Sequence, residues 1–323
     1  MSDDARWMGA ALALATRGVG RTAPNPPVGC VIVRDGHVVG RGWTQPGGRP
    51  HAEAMALEQA GEAARGATAY VTLEPCAHVS LRGPACADLL IEAGVAHVVI
   101  AVKDPDPRTN GAGIARLEAA GSGTTSGVMG EAAAQVMAGF LSRQKRQRPS
   151  VTLKLAMSLD GKIALPDGSS RWITGEEARA HAHLERAHCE LIVVGRGTLE
   201  ADAPKLDVRV LGLEDRSPRR AVLTSGTVPE GWTKLAAPED VAAIEQVDQV
   251  LVEGGAGAAS AFLKADLVDR LLVYRAPIVI GAGRDAIGDI GLTDLGEAHG
   301  RWRLADTRQL GNDRLDVYDR ARG

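Results

Sequence analysis

The sequence predicts an α/β protein built as two units, and three observations carry that prediction. The chain has 323 residues, long for one hydrophobic core and natural for two. Short β-rich runs alternate with helical runs of roughly ten residues, the pattern of sheets covered by helices. A basic stretch ending in proline, SRQKRQRPS at 142–150, interrupts the alternation. Pro149 makes it a natural end to the first unit, which places the units at 1–148 and 149–323.

The elements of the first unit follow in order. MSDDARWMGAALALATRG is acidic before its apolar part, whereas a signal peptide starts basic, so it reads as an amphipathic helix. VGCVIVRDGHVVGRGW reads as a hairpin turning at Asp35-Gly36. HAEAMALEQAGEAA is rich in helix formers, ATAYVTLEP is a strand, ACADLLIEAG is a helix stopping at Gly94, and VAHVVIAV is the next strand. Together they suggest a three-layer α/β sandwich. The four basic residues of 142–150 read as a solvated helix end and linker. A nucleic-acid tail would carry more aromatics than the single Phe140 nearby.

The second unit opens with VTLKLAMSLDGKIA and continues through the strand candidates CELIVVG, RRAVLT, DQVLVEGG and RLLVYRAPIVIG. GRWRLADTRQL and DRLDVYD read as a terminal antiparallel pair. This unit is again α/β.

Composition narrows the function. Hydrophobic residues at 45% and charged residues at 24% describe an ordinary globular protein. No run reaches the ~18 apolar residues of a membrane span. A net charge of −3 argues against a chain built to hold nucleic acid. Four cysteines in a chain this large do not form a disulfide framework, so a reducing, cytoplasmic setting is expected.

The first chemical site is His51-Ala52-Glu53 with Pro75-Cys76 and Cys86. A catalytic zinc takes three protein ligands and keeps one open position. His51, Cys76 and Cys86 supply an imidazole and two thiolates. Glu53 falls in the first turn of a helix starting near His51, where its carboxylate can take the proton of an attacking water and pass it to a leaving amine. Zinc deaminases acting on nucleobases share H-x-E and P-C, but here nine residues separate the cysteines, so loop Ala77–Ala85 is expected to line the pocket. Two other readings stand beside this one: a Cys76–Cys86 disulfide, or a structural zinc with His78 as fourth ligand. Cys30, in an apolar strand, reads as core. His181, His183 and His188 read as surface residues.

PNPPVGCVIV, PHAEAMAL, GATAYVTLEPCAH and AGVAHVVIAVKDPDP resemble the deaminase half of the bifunctional riboflavin-biosynthesis deaminase–reductases. The resemblance implies a cytidine-deaminase-like sandwich with zinc on His51, Cys76 and Cys86, and Glu53 as proton shuttle. It also implies a phosphorylated diaminopyrimidine substrate touched by Asn25. The chain departs from the family at SLRGPAC, where the cysteine spacing is one residue longer.

In the second half, VLVEGGAGAASAFLKADL reads as strand, glycine-rich turn and helix, the layout of a phosphate cradle. LKLAMSLDGKIA, SSRWIT, GRGTLEADAPKLDVR and VEGGAGAASAFL resemble the reductase half of the same family, which implies a dihydrofolate-reductase-like fold using NADPH. On that resemblance Ala156, Trp172, Thr198 and Asp202 line the cofactor site, together with Gly255, Ala256, Gly257, Ala258, Ala259, Ser260 and Ala261. Ser170, Arg186, Leu206, Arg209 and Glu253 meet the substrate, the two arginines being suited to its 5-phosphate. Lys154 and Asp202 are the groups placed to help proton transfer. Family members tend to associate, so a homo-oligomer is an expectation. Ala203, where the family commonly has a second aspartate, and a short 211–248 region leave open an alternative: deaminase activity with an impaired reductase.

Overall fold

The computed structural model describes residues 3–78 and 83–322. The chain folds as two compact units, Met1–Gln147 and Arg148–Gly323.

The first unit runs α1 (Asp3–Ala15), β1 (Gly29–Arg34), β2 (His37–Trp43), α2 (Ala52–Ala60), β3 (Thr68–Leu73), α3 (Cys86–Glu92), β4 (His97–Val102), α4 (Ala112–Ala119), β5 (Gly123–Ser126), α5 (Gly130–Val136) and α6 (Ala138–Arg146). Its sheet has the order β2-β1-β3-β4-β5. β1 is antiparallel to both β2 and β3, and β3, β4 and β5 are parallel. The β1–β2 turn puts Asp35 at φ 51 and Gly36 at φ 73, the two positive values a type I′ hairpin needs.

Side chains alternate across a strand, and both faces of β1 are covered. A Cβ on Gly29 would lie 1.9 Å from Ala11 O of α1. Cys30, on the opposite face, pairs with Gly42, and a Cβ on Gly42 would lie 2.1 Å from Ala52 O of α2. Glycine at 42 therefore lets the start of α2 rest on β2, and that contact positions His51 and Glu53. The three layers expected from the sequence are helix, sheet and helix around a core of Cys30, Ile32, Ala56, Val71, Leu90 and Ile100.

The second unit runs β6 (Ser150–Met157), β7 (Lys162–Ala164), α7 (Glu176–Arg186), β8 (Leu191–Gly195), α8 (Arg196–Asp202), β9 (Arg219–Leu223), β10 (Trp232–Leu235), β11 (Gln249–Val252), α9 (Ala256–Lys264), β12 (Arg270–Arg275), β13 (Arg284–Asp285), β14 (Trp302–Leu310) and β15 (Asp313–Arg320). Its main sheet has the order β10-β9-β8-β11-β6-β12-β15-β14. The first six strands are parallel and the last two antiparallel. A sheet covered on both faces wants strands that are apolar throughout, and Leu191, Ile192, Val193 and Val194 of β8 are all fully buried. The 211–248 region, short as it is, still supplies β9 and β10.

Two expectations are corrected. Arg148 is not part of a solvated tail: it is 9% exposed, and its guanidinium bonds both oxygens of Asp269 at 2.6 and 2.9 Å. His181 and His188 are not surface groups either. His181 Nδ1 lies 2.8 Å from Tyr274 Oη, Nε2 lies 3.2 Å from Arg308 Nη1, and burial lowers the pKa of both histidines. One face of α7 packs on the sheet, a tertiary contact that the helical pattern alone does not show.

Candidate active sites

His51 is the N-cap residue of α2, and Glu53 lies in its first turn. Cys76 follows β3, and Cys86 opens α3. The fold thus brings three ligands from distant sequence positions together, with their donor atoms all within 4.8 Å of one another. His51 Nδ1 is 3.2 Å from Cys86 Sγ and 3.8 Å from Cys76 Sγ. The Cys86 backbone N–H donates to Cys76 Sγ at 3.3 Å. Asn25 Nδ2 donates to Gly48 O at 2.9 Å and lies 3.1 Å from His51 Nε2, so Asn25 fixes the imidazole plane from behind.

The electrostatics suit a thiophilic dication. A hydrogen bond from the Cys86 thiol holds Cys76 down at about 4 against the effect of burial. Cys86, which keeps the shared proton and is buried, is pushed well above its ordinary range. All four cysteines carry free thiols, which removes the disulfide reading. One imidazole and two thiols with room for one further ligand fit Zn²⁺. Glu53 is 3% exposed. Burial raises its pKa, opposed by His51, which moves a carboxyl toward the neutral range where it can both accept and donate a proton.

His51, Glu53 and Cys76 open on a cavity of about 330 Å³ lined also by Asn25, Arg49, His78, Asp104, Asp106 and Arg108, the size class of a small-ligand pocket. His78 Nδ1 lies 3.4 Å from Thr109 Oγ1, so His78 belongs to the pocket wall rather than to the ligand set. Of loop Ala77–Ala85, residues 79–82 lie outside the described residues.

Sequence reasoning assigned no role to Glu74, Asp104 or Asp106. Glu74, 2% exposed, accepts from the backbone N–H groups of Asp104, Gly111, Gly113 and Ile114 at 3.2, 2.9, 3.0 and 3.1 Å. It ties the segment before Cys76 to the loop after β4. Burial pushes Asp104 up to about 6, whereas the bond from Arg108 holds Asp106 below its usual range. The available signal was position: DPDP follows β4 after the single residue Lys103, at the carboxyl end of the parallel strands, where α/β proteins place ligands.

The second unit holds a cavity of about 990 Å³. Of the expected residues, its wall includes Lys154, Ala156, Ser170, Trp172, Arg186, Thr198, Asp202, Arg209, Glu253 and Gly255 through Ala258. Leu206 sits in the core with Ile192, Val194 and Leu251, and Ala259 and Ser260 are buried in α9. Ser260 Oγ accepts from Gly288 N at 2.7 Å. Those three side chains, and Ala261, are not among the wall residues described. The cradle is therefore shorter than the expected Gly255–Ala261, because α9 begins at Ala256 and its next turn packs on the sheet.

The charges at the cavity floor are paired. Arg186 Nε and Nη2 bond Glu253 Oε1 and Oε2 at 2.7 and 2.9 Å, and Nη1 donates to Asp207 O at 3.1 Å. Lys154 Nζ is 3.6 Å from Glu253 Oε2. Burial would raise the Glu253 carboxyl, but Lys154 and Arg186 outweigh it and hold it at about 2. Arg186 thus has its fork committed to a carboxylate, while Arg209, 64% exposed in its side chain, keeps only a 3.4 Å contact to Asp207. Asp202 faces Arg171 at 3.5 Å. Thr198 Oγ1 accepts from Gly255 N at 3.0 Å, which shapes the glycine turn. His183, expected at the surface, lines this cavity, with Nδ1 3.0 Å from Asp207 O. Ala203 closes α8 with φ 39, beyond the wall residues Ala201 and Asp202.

Comparison with known proteins places both halves. Residues 1–102 match the cytidine and deoxycytidylate deaminase zinc-binding region, and residues 149–315 match the RibD C-terminal domain. The riboflavin biosynthesis protein RibD of Escherichia coli is 39% identical, covering 96% of this chain and 97% of its own length. That of Mycobacterium tuberculosis is 40% identical, covering 95% of each. The structure of Acinetobacter baumannii RibD matches with TM-score 0.86 at 36% identity, covering 99% of both chains. A deaminase/5-amino-6-(5-phosphoribosylamino)uracil reductase from Thermotoga maritima matches with TM-score 0.87 at 33% identity, covering 98% of this chain and 99% of the other.

Proposed function

The chain belongs to the RibD family of bifunctional riboflavin-biosynthesis deaminase–reductases, and from that premise we propose how its own residues divide the two reactions. In the first, the substrate is diaminohydroxyphosphoribosylaminopyrimidine. Water replaces the exocyclic amine of the ring carbon, and ammonia leaves. His51, Cys76 and Cys86 would hold zinc, which would supply Lewis-acid chemistry at this site. Glu53 takes one water proton and delivers it to the departing amine. Asn25 holds the His51 ring, and Glu74 holds the Cys76 segment against the pocket wall.

In the second reaction the product, 5-amino-6-(5-phosphoribosylamino)uracil, is reduced to its ribityl form. NADPH supplies the hydride. The furanose ring opens, C1′ accepts the hydride, and the ring oxygen accepts a proton. Lys154 stands 3.6 Å from the buried Glu253 carboxylate; unlike the guanidinium of Arg186 its ammonium can give up a proton, and it is the group placed to pass that proton. Arg186 keeps Glu253 ionised, and Arg209 together with His183 faces the substrate phosphate. Asp202, more exposed and paired with Arg171, serves the cofactor wall rather than the proton path. Four free thiols favour a reducing, cytoplasmic compartment, and no described helix is long and apolar enough to cross a membrane.

The observation that carries this reading is the convergence of His51, Cys76 and Cys86 beside the buried Glu53. The test is to give zinc-loaded protein the diaminopyrimidine phosphate, follow ammonia without NADPH, then follow NADPH absorbance after adding it. Ammonia first and NADPH loss second is the expected result. No ammonia from zinc-replete protein refutes the deaminase assignment, and ammonia without NADPH loss refutes the reductase assignment.

A further inference from the structure

The large cavity is crossed by four neighbouring parallel strands in the order β9-β8-β11-β6. β6 contributes Lys154, β11 leads into Glu253 and the Gly254–Gly255 turn, β8 leads into Gly195–Arg196, and β9 ends at Leu223. Neighbouring strands stand ~4.8 Å apart, so these groups are laid out along one line. If hydride is delivered beside Lys154 and Glu253, and the pyrophosphate rests on the glycine turn, a dinucleotide has one direction left. Its adenosine ribose lies over β8 and β9.

The cation there is Arg196. Glu200 engages its Nε at 2.7 Å, and neither Nη group has a hydrogen-bond partner among the described residues. The guanidinium lies against the turn after β9: a Cβ on Gly226 would stand 1.9 Å from Arg196 Nη1, so glycine at 226 makes room for it. Thr224 Oγ1 accepts from Gly226 N at 3.1 Å, and Lys234 Nζ donates to Ser225 O at 2.8 Å, adding positive charge to the same turn. The other cations of the wall are placed elsewhere. Lys154 and Arg186 serve Glu253, and Arg209 faces Asp207. Arg179 donates to Thr174 O, and Arg284 packs on Gly168.

We propose that Arg196 reads the adenosine 2′-phosphate and sets the preference of this reductase for NADPH over NADH. The inference rests on the reading of this cavity as the dinucleotide site. A guanidinium fork matches phosphate oxygens and makes no comparable contact with a ribose hydroxyl.

Calorimetric titration of the full chain with adenosine 2′,5′-bisphosphate and with adenosine 5′-monophosphate tests it without turnover. The wild-type protein binds the bisphosphate at least ~10-fold more tightly, the effect of one charge-assisted bidentate contact. Arg196→Ala abolishes that preference while leaving 5′-monophosphate binding within about twofold, and Arg196→Lys restores part of it. NADPH and NADH titrations follow the same order. A preference that survives in Arg196→Ala overturns the proposal, as does an equal loss of both ligands in the Ala and Lys variants. Wild-type protein that binds neither NADPH nor NADH overturns the cofactor reading of the cavity itself.

Discussion

Glu53 and Glu253 are both buried carboxyls, and their surroundings give them opposite behaviour. Burial raises Glu53, and the cation share that opposes it comes from a single imidazole. Glu253 lies between Lys154 and Arg186 and is held at about 2, so it stays ionised throughout the working range. The first can shuttle a proton and the second can only orient cations. Glu53→Gln keeps the shape and removes the shuttle. Its deamination rate is expected to fall ~100-fold or more, with one zinc still bound per chain and reduction of separately supplied product unchanged. Metal analysis beside ammonia assays checks this, and a Gln variant with near wild-type ammonia release would remove Glu53 from the chemistry. H-x-E and P-C made this cluster legible from sequence, because ligand chemistry restricts residue type. Glu74 and the Arg186–Glu253 pair were not legible as partners, because backbone donors and a carboxylate 67 positions away leave no local pattern.

At the scale of elements, the deaminase site depends on how closely α2 approaches β2. The helix begins directly over Gly42, with no space for a methyl group. Gly42→Ala must push the first turn of α2 outward, and with it His51 and Glu53. We expect reduced zinc affinity and at least a ~10-fold loss of deamination, since misplacement by about 1 Å is costly at a reacting centre. Reduction of separately supplied product, carried by the other unit, stays at the wild-type rate. Equal loss of both activities in the purified variant would point instead to general misfolding. The hairpin, the α2 region and the buried parallel strands were readable because turn chemistry and apolar runs are local signals. β5, β10 and β13 have four, four and two residues, too short for periodicity to register. They are strands because a neighbour supplies the ladder.

At the scale of the whole molecule, pH acts on stability through groups outside the sites. Glu190, just before β8, accepts from the backbone N–H groups of Asp248 and Gln249 at 3.2 and 2.8 Å, and burial pushes it up to about 7. A free glutamate titrates near ~4.3. Between those values the folded chain holds a proton that the unfolded chain has released, so the stability this group contributes is full below the lower value and is lost as pH rises through about 7. The second unit is expected to be less stable at pH 8 than at pH 6 by on the order of 1 kcal/mol. Denaturant unfolding of the wild type and of Glu190→Gln measures this, and the same decline in the variant would exclude Glu190 as its source. The sequence by itself determined the two-unit α/β plan, the family, the candidate cluster of His51, Cys76 and Cys86 with Glu53, and the glycine-rich turn, since each is written in short motifs whose chemistry admits few alternatives. Only the tertiary structure decided that Arg186 grips Glu253, that His183 faces the cavity and His181 the sheet, that Leu206 and Ser260 turn away from the cavity, and that Arg196, held through Nε by Glu200, lies against the turn after β9. Those outcomes depend on which strands become neighbours, and strand order is settled by packing across the whole sheet rather than by any short stretch of chain.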